Sequence, residues 1–168
     1  MNMFYERIFR ELDRRKIRYM VIGGIAVNIH GYSRATGDLD IMLSFEKNNI
    51  KRFIEFVNAL GFNPKIPVRI EELGDQEKIK EWKKKKHMKV FSVYNPQNEL
   101  EHIDIMIENY IDFDRAYGDR EVVFARDIEI SVVSIDDLIE LKRKAGRKRD
   151  DIDIEALRKI KEIKNEGQ

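Results

Sequence analysis

The feature that most constrains this chain is an uncharged run from Tyr19 to Ser33, in a sequence of which 38% is charged. The run is too short to cross a bilayer and is broken by Gly23, Gly24, Asn28, His30 and Gly31. It therefore reads as part of a buried core. Tyr19-Met20-Val21-Ile22 predicts a strand, the Gly23-Gly24 pair ends it, and residues 25–29 predict a short helix. After a loop containing Ser33 and Thr36, Asp38 to Leu43 alternates polar and apolar and predicts a second strand.

The rest of the chain extends this unit. Phe4, Ile8 and Leu12, with Tyr5 and Phe9 beside them, mark an amphipathic first helix. Ser44 is expected to cap a helix buried through Ile50, Phe53, Ile54, Val57 and Leu60 and stopped by Gly61. Pro64 and Pro67 keep the next connection extended, and residues 71–86 read as a charged helix. Residues 87–94 and 101–107 predict a hairpin turning at Asn95-Pro96, and 122–124 and 128–133 predict two further strands. Ser134-x-x-Asp137 opens a helix, and Asp150 is expected to cap a last one buried through Ala156, Leu157, Ile160 and Ile163. The order predicts an α+β fold, a mixed sheet flanked by helices. Residues 1–133 would form the core and 134–168 a C-terminal helical segment packed on it, one domain overall.

Composition removes several function classes. With no cysteine, disulfides, thiolate metal sites and cysteine nucleophiles are excluded. Three histidines, His30, His87 and His102, argue against a histidine-rich metal centre. Lys and Arg total 32 against 31 Asp and Glu, a net charge of +1, so there is no overall basic footprint for nucleic acid. Glu6 and Glu11 stand where a signal peptide would be apolar, and the expectation is a cytoplasmic protein without membrane association.

The chemistry concentrates in carboxylates. Side chains of a strand alternate faces, so Asp38 and Asp40 point the same way, about 7 Å apart along the strand. Leu39, Ile41 and Leu43 then face the core. Two carboxylates on one face repel unless they are solvated or share a cation. Asp104, in the apolar run His102 to Ile107, would join them if its strand pairs beside the first. Three carboxylates without nitrogen or sulfur donors suit a hard cation such as Mg²⁺, and such a cluster can hold two ions for phosphoryl or nucleotidyl transfer. Gly23 and Gly24, between a strand and a helix, let backbone N–H groups approach an anion closely.

Gly23-Gly24-x-Ala26, His30-Gly31, Arg34-x-Thr36 and Asp38-x-Asp40, followed by a strand Asp104, resemble the DNA polymerase beta-type nucleotidyltransferase superfamily. The form is closest to its small bacterial and archaeal members, which include the toxin components of abortive-infection toxin–antitoxin systems. The motif resemblance covers about residues 19 to 107, with a looser one to about residue 160. It implies that Asp38 and Asp40 bind two Mg²⁺ ions, with Mn²⁺ able to substitute. It implies that Asp104 binds the catalytic ion and helps deprotonate the acceptor, and that Gly23 and Gly24 contact the triphosphate of a nucleotide such as ATP. Many members have Gly-Ser, whose hydroxyl holds a phosphate, where this chain has Gly24. Arg34 and Thr36, in the loop before Asp38, are nucleotide-binding candidates. Lys142 and Arg147 resemble the Lys and Arg that members place near the triphosphate; the bland reading is basic charge complementing a helix end before Gly146. His30 reads as a structural hydrogen-bonder, and Lys83 to Lys86, beside Trp82, as a solvated helix end that is also the first place to look for RNA contact.

The expected activity is Mg²⁺-dependent transfer of a nucleoside monophosphate to RNA such as tRNA, a protein side chain or a small molecule, with release of pyrophosphate. The alternative is a catalytically weak nucleotide-binding module, or a toxin–antitoxin component, acting through an antitoxin or another neighbour-encoded partner. A nuclease ranks third, because Asp104-Ile105-Met106 lacks the Glu-x-Lys lysine of such sites.

Overall fold

The computed structural model describes residues 3–108 and 110–167. Helix α1 (Met3–Arg14) precedes β1 (Tyr19–Ile22), α2 (Gly23–His30), β2 (Leu39–Leu43) and α3 (Lys47–Leu60). A two-residue strand β3 (Asn63–Pro64), a 3₁₀ turn (Ile70–Gly74) and α4 (Gln76–Lys86) lead to the hairpin β4 (Val90–Asn95) and β5 (Asn98–Met106). Then come α5 (Phe113–Gly118), β6 (Glu121–Ala125), β7 (Ile128–Val132), α6 (Ile135–Ala145) and α7 (Lys148–Glu166). The seven strands form one mixed sheet in the order β3-β4-β5-β2-β1-β7-β6. This is the predicted α+β architecture.

Two pairings position the site. β1 and β2 are antiparallel with Ile22 opposite Asp40, and β2 and β5 are parallel with Asp40 beside Asp104. Alternation then sorts the sheet into two faces. Tyr19, Val21, Leu39, Ile41, Ile103 and Ile105 occupy one, all buried, and Phe9 of α1 stacks on Tyr19 with ring centroids 6.3 Å apart. Phe53 and Phe56 of α3 complete that core. Ile22, Asp40, Asp104 and Met106 share the opposite face. Leu138 and Leu141 of α6 face Asp40 there across a cleft.

Several local expectations are corrected. Ser44 does not cap α3, which has Glu46 at that position without a side-chain hydrogen bond. The buried Asn49 does the fastening instead: it accepts from the Arg18 N–H at 2.7 Å and donates to the Arg18 and Ser44 carbonyls. Asp75, whose carboxylate accepts from the Glu77 and Lys78 N–H groups, separates the 3₁₀ turn from α4, so residues 71–86 are not one helix. His87 closes α4 in the left-handed region, φ 50°, and β4 starts only at Val90. Arg147, not Asp150, is the N-cap of α7; Asp150 sits three residues in and accepts from the Arg147 N–H at 3.1 Å. Ile163 is exposed, while Leu157 is buried. Ser134 does cap α6, accepting from the Asp137 N–H. Among the described residues no helix is long and apolar enough to cross a membrane.

Candidate active site

A cleft of about 490 Å³ opens on the sheet face that carries Asp40. That is within the range of small-molecule sites, roughly 300–1,000 Å³. The turn from β1 into α2 supplies Gly23 and Gly24, and the following loop supplies Arg34, Thr36 and Asp38. The C-terminal helices supply Lys142 and Arg147, and Val90, Met106, Leu138, Leu141 and Ala145 make the apolar part of the wall. Of the nine site candidates read from the sequence, eight line this cleft, and the ninth, Asp104, is the cross-strand neighbour of Asp40.

The carboxylates are unequal. Asp40 is pushed up to about 6, first by burial, then by the charges of Asp104 and Asp38; Arg147 and Lys142 pull the other way. Asp104 is half-buried, and its Oδ1 has no hydrogen-bond partner. Asp38 lies just before β2, its side chain 60% exposed, with Oδ1 3.1 Å from Nε2 of His102. Among the described residues no three Asp, Glu or His side chains converge into a ready-made ion cluster. The donor set nevertheless fits a hard dication: oxygen donors only, an orphaned buried oxygen on Asp104, and a carboxyl whose ionisation a neighbouring cation would ease. Asp40 and Asp104 are the residues that would hold it, with Asp38 at the rim.

The glycines are explained by close approach. At Gly23, φ +66°, a Cβ would lie 2.2 Å from Oδ2 of Asp40; at Gly24 it would lie 2.5 Å from Oγ1 of Thr36 and 2.6 Å from Nη2 of Arg34. The space that a side chain at residue 24 would take already holds a hydroxyl and a guanidinium. Gly23→Ala is expected to lose at least about 2 kcal/mol, from the left-handed backbone and from displacing Asp40, or about 4–8 °C in Tm for a domain of this size. Unchanged melting in a thermal denaturation series would refute this.

Arg34 and Lys142 are tied together from behind. Asp153 of α7, only 2% exposed, meets Lys142 Nζ at 2.6 Å and lies 3.0 Å from Arg34 Nε, close enough for an ion pair but not aligned as a hydrogen bond. Asp150 takes Lys142 Nζ at 3.2 Å. Lys142 is thus a buried cation between two carboxylates, whereas Arg147 is exposed and makes no ion pair among the described residues. Asn28 clamps the loop, donating to the Arg34 carbonyl and accepting from the Arg34 N–H. The Tyr5 hydroxyl donates to the carbonyl of Gly37 at 2.8 Å, beside Asp38. Burial and then the charges of Asp38 and Asp40 raise the Tyr5 phenol.

Sequence reasoning missed Tyr5, His102 and Asp153. His102 was within reach, since it shares a strand face with Asp104 two residues on; Tyr5 and Asp153 act from distant helices and leave no local signal. His30 is the structural residue expected: it is buried, with Nε2 2.8 Å from the Val133 carbonyl oxygen, and burial lowers its pKa. Trp82 stacks on Phe91 in the core, and Lys83 and Lys85 pair with Glu108 and Glu81.

No protein-family model and no curated protein matches the sequence. Solved structures do match the fold. One is the lincosamide antibiotic adenylyltransferase LnuA, solved with lincomycin bound, at 16% identity and a TM-score of 0.61 over 95% of this chain and 98% of that one. The fold is one that nucleotidyltransferases use. A second is an antigenic nucleotidyltransferase-like protein from Paracoccidioides brasiliensis, at 14% identity and a TM-score of 0.54 over 92% of this chain and 72% of that one.

Proposed function

We propose that the chain is a cytoplasmic nucleotidyltransferase that moves a nucleoside monophosphate from a nucleoside triphosphate to a hydroxyl or phosphate acceptor. The supporting observation is the parallel β2–β5 register, which sets Asp40 beside Asp104 at the back of a cleft whose other walls carry glycines and cations. Mg²⁺ (or Mn²⁺) held by Asp40, Asp104 and Asp38 would supply charge neutralisation of the phosphates and activation of the attacking oxygen. Around it, Gly23 and Gly24 keep the turn free of side chains, and Thr36 and Arg34 offer a hydroxyl and a guanidinium where that turn meets a phosphate. Arg147, exposed at the mouth, neutralises charge on the triphosphate. Asp104 accepts the proton of the acceptor hydroxyl. The apolar wall, including Met106 and Leu141, gives the base or the acceptor a surface to pack on.

The test needs no knowledge of the acceptor. Thermal unfolding with Mg²⁺ and each nucleoside triphosphate is expected to show a shift with at least one of them, about 2.7 kcal/mol at a hundred times Kd. The shift should require Mg²⁺. Label from an α-phosphate-labelled triphosphate is then followed into RNA, protein and small-molecule fractions. A folded protein that shifts with no nucleotide would overturn the proposal. The second reading, a nucleotide-binding module working through a partner such as an antitoxin, is favoured by the engagement of Lys142 with Asp150 and Asp153. It predicts a nucleotide shift without label transfer until the partner is added.

A further inference from the structure

We infer that His102 is a positioning residue that sets the carboxylate of Asp38 for cation binding; the inference rests on the nucleotidyltransferase reading above. Asp38 is the exposed member of the three carboxylates and belongs to a loop, so nothing in strand geometry fixes its rotamer. His102 lies on β5, in register two residues before Asp104 and therefore on the same face. Its side chain is 15% exposed and comes within 3.1 Å of Asp38 Oδ1 through Nε2.

The ring's other nitrogen has no competing contact. Nδ1 is buried and has no hydrogen-bond partner. Nε2 is therefore the ring nitrogen that meets the carboxylate, at ion-pair distance though not aligned as a hydrogen bond. The ring thus sits against Oδ1 of Asp38, and Oδ2 is left for a cation. A Tyr5 hydrogen bond to the Gly37 carbonyl fixes the backbone of the same corner. Together they turn a loop carboxylate into a preset ligand, which lowers the ordering needed when an ion arrives.

The experiment is a Mn²⁺ titration of the protein, read by the electron paramagnetic resonance signal of free Mn²⁺. It compares wild type, His102→Leu, His102→Gln, Asp38→Asn and the Asp38→Asn/His102→Leu double variant, each melted first to show that it is folded. His102→Leu is expected to weaken Mn²⁺ binding about tenfold. His102→Gln, which keeps a donor, should recover most of the loss, and adding His102→Leu to Asp38→Asn should weaken binding no further. His102→Ala replaces the leucine variant if that one does not fold. A folded His102→Leu or His102→Ala with wild-type affinity, or losses that simply add in the double variant, would overturn the inference while leaving the metal site intact. A wild type that binds no Mn²⁺ would overturn the nucleotidyltransferase reading and this inference together.

Discussion

At pH 7.5 the Asp40→Asn variant will melt higher than wild type and lose nearly all nucleotide transfer. The two effects have one source. Asp40 is held near 6 in the folded protein against 3.8 for an ordinary aspartate, chiefly by burial and then by Asp104 and Asp38. Ionising it in the folded state is therefore harder than in the unfolded chain. The contribution of this one group to stability is greatest below about pH 4, falls as the pH rises from there to about 6, and stays reduced above. The penalty at neutral pH is about 2–3 kcal/mol, and asparagine removes it, for a gain of roughly 4–12 °C in Tm. At about pH 3, where the wild-type carboxyl is largely protonated in both states, the two proteins should melt almost together. Transfer should fall at least about a thousandfold, because the residue opposite Asp104 no longer carries charge. Wild-type transfer by a folded Asp40→Asn, or a pH-independent difference in melting, would refute the account.

The second large effect lies behind the cleft. Asp153→Ala removes the closest partner of Lys142, at 2.6 Å, and the counter-charge of Arg34. Lys142 is as buried as its partners, Asp150 and Asp153. Removing one side of a buried pair leaves an uncompensated charge, typically worth 3–5 kcal/mol. Asp150 remains 3.2 Å away and absorbs part of it, so about 3 kcal/mol is expected, a fall of roughly 6–12 °C in Tm. Urea denaturation at low and high salt checks the assignment, since a buried pair is screened far less than a surface one. Glu155→Ala, which removes the exposed partner of Lys159 on the same helix, should leave stability unchanged. Equal losses from the two variants would mean that α7 is held by general packing rather than by this network.

The comparison of sequence with structure turns on range. Leu39, Ile41 and Leu43 fall in the core as alternation requires, because strand geometry acts over neighbouring residues. The meeting of Asp40 with Asp104 was legible only as a condition, since pairing of distant strands leaves no mark in either one. Ser44 failed as a cap because Asn49 reaches back to bind its carbonyl, and an amide five residues away does not register in cap spacing. Helix α5 was unread: six residues make too short a period, and its fastening comes from Arg115 to Asp137, far along the chain. Spacing alone predicts Ile163 as buried, but it is exposed, while the next residue, Lys164, pairs with Glu121 on the edge strand β6. In the site, residues on one local segment, Gly23 to Asp40, were found, whereas the helix residues that brace them, Tyr5 and Asp153, were not.

The parallel pairing of β2 with β5 also bears on how the chain reaches its native state. Residues more than sixty positions apart must meet, across two helices and a hairpin, before either carboxylate has its neighbour. Contacts so distant in sequence slow the search, because the loop must close before the pairing returns any stability. The same step brings two negative charges together, so the barrier carries an electrostatic component that earlier steps lack. Refolding should therefore speed up in mild acid or with millimolar Mg²⁺ and slow down in a chelator, as stopped-flow fluorescence of Trp82 would show. The carboxylates proposed for chemistry would then also set the pace at which the two halves of the sheet join.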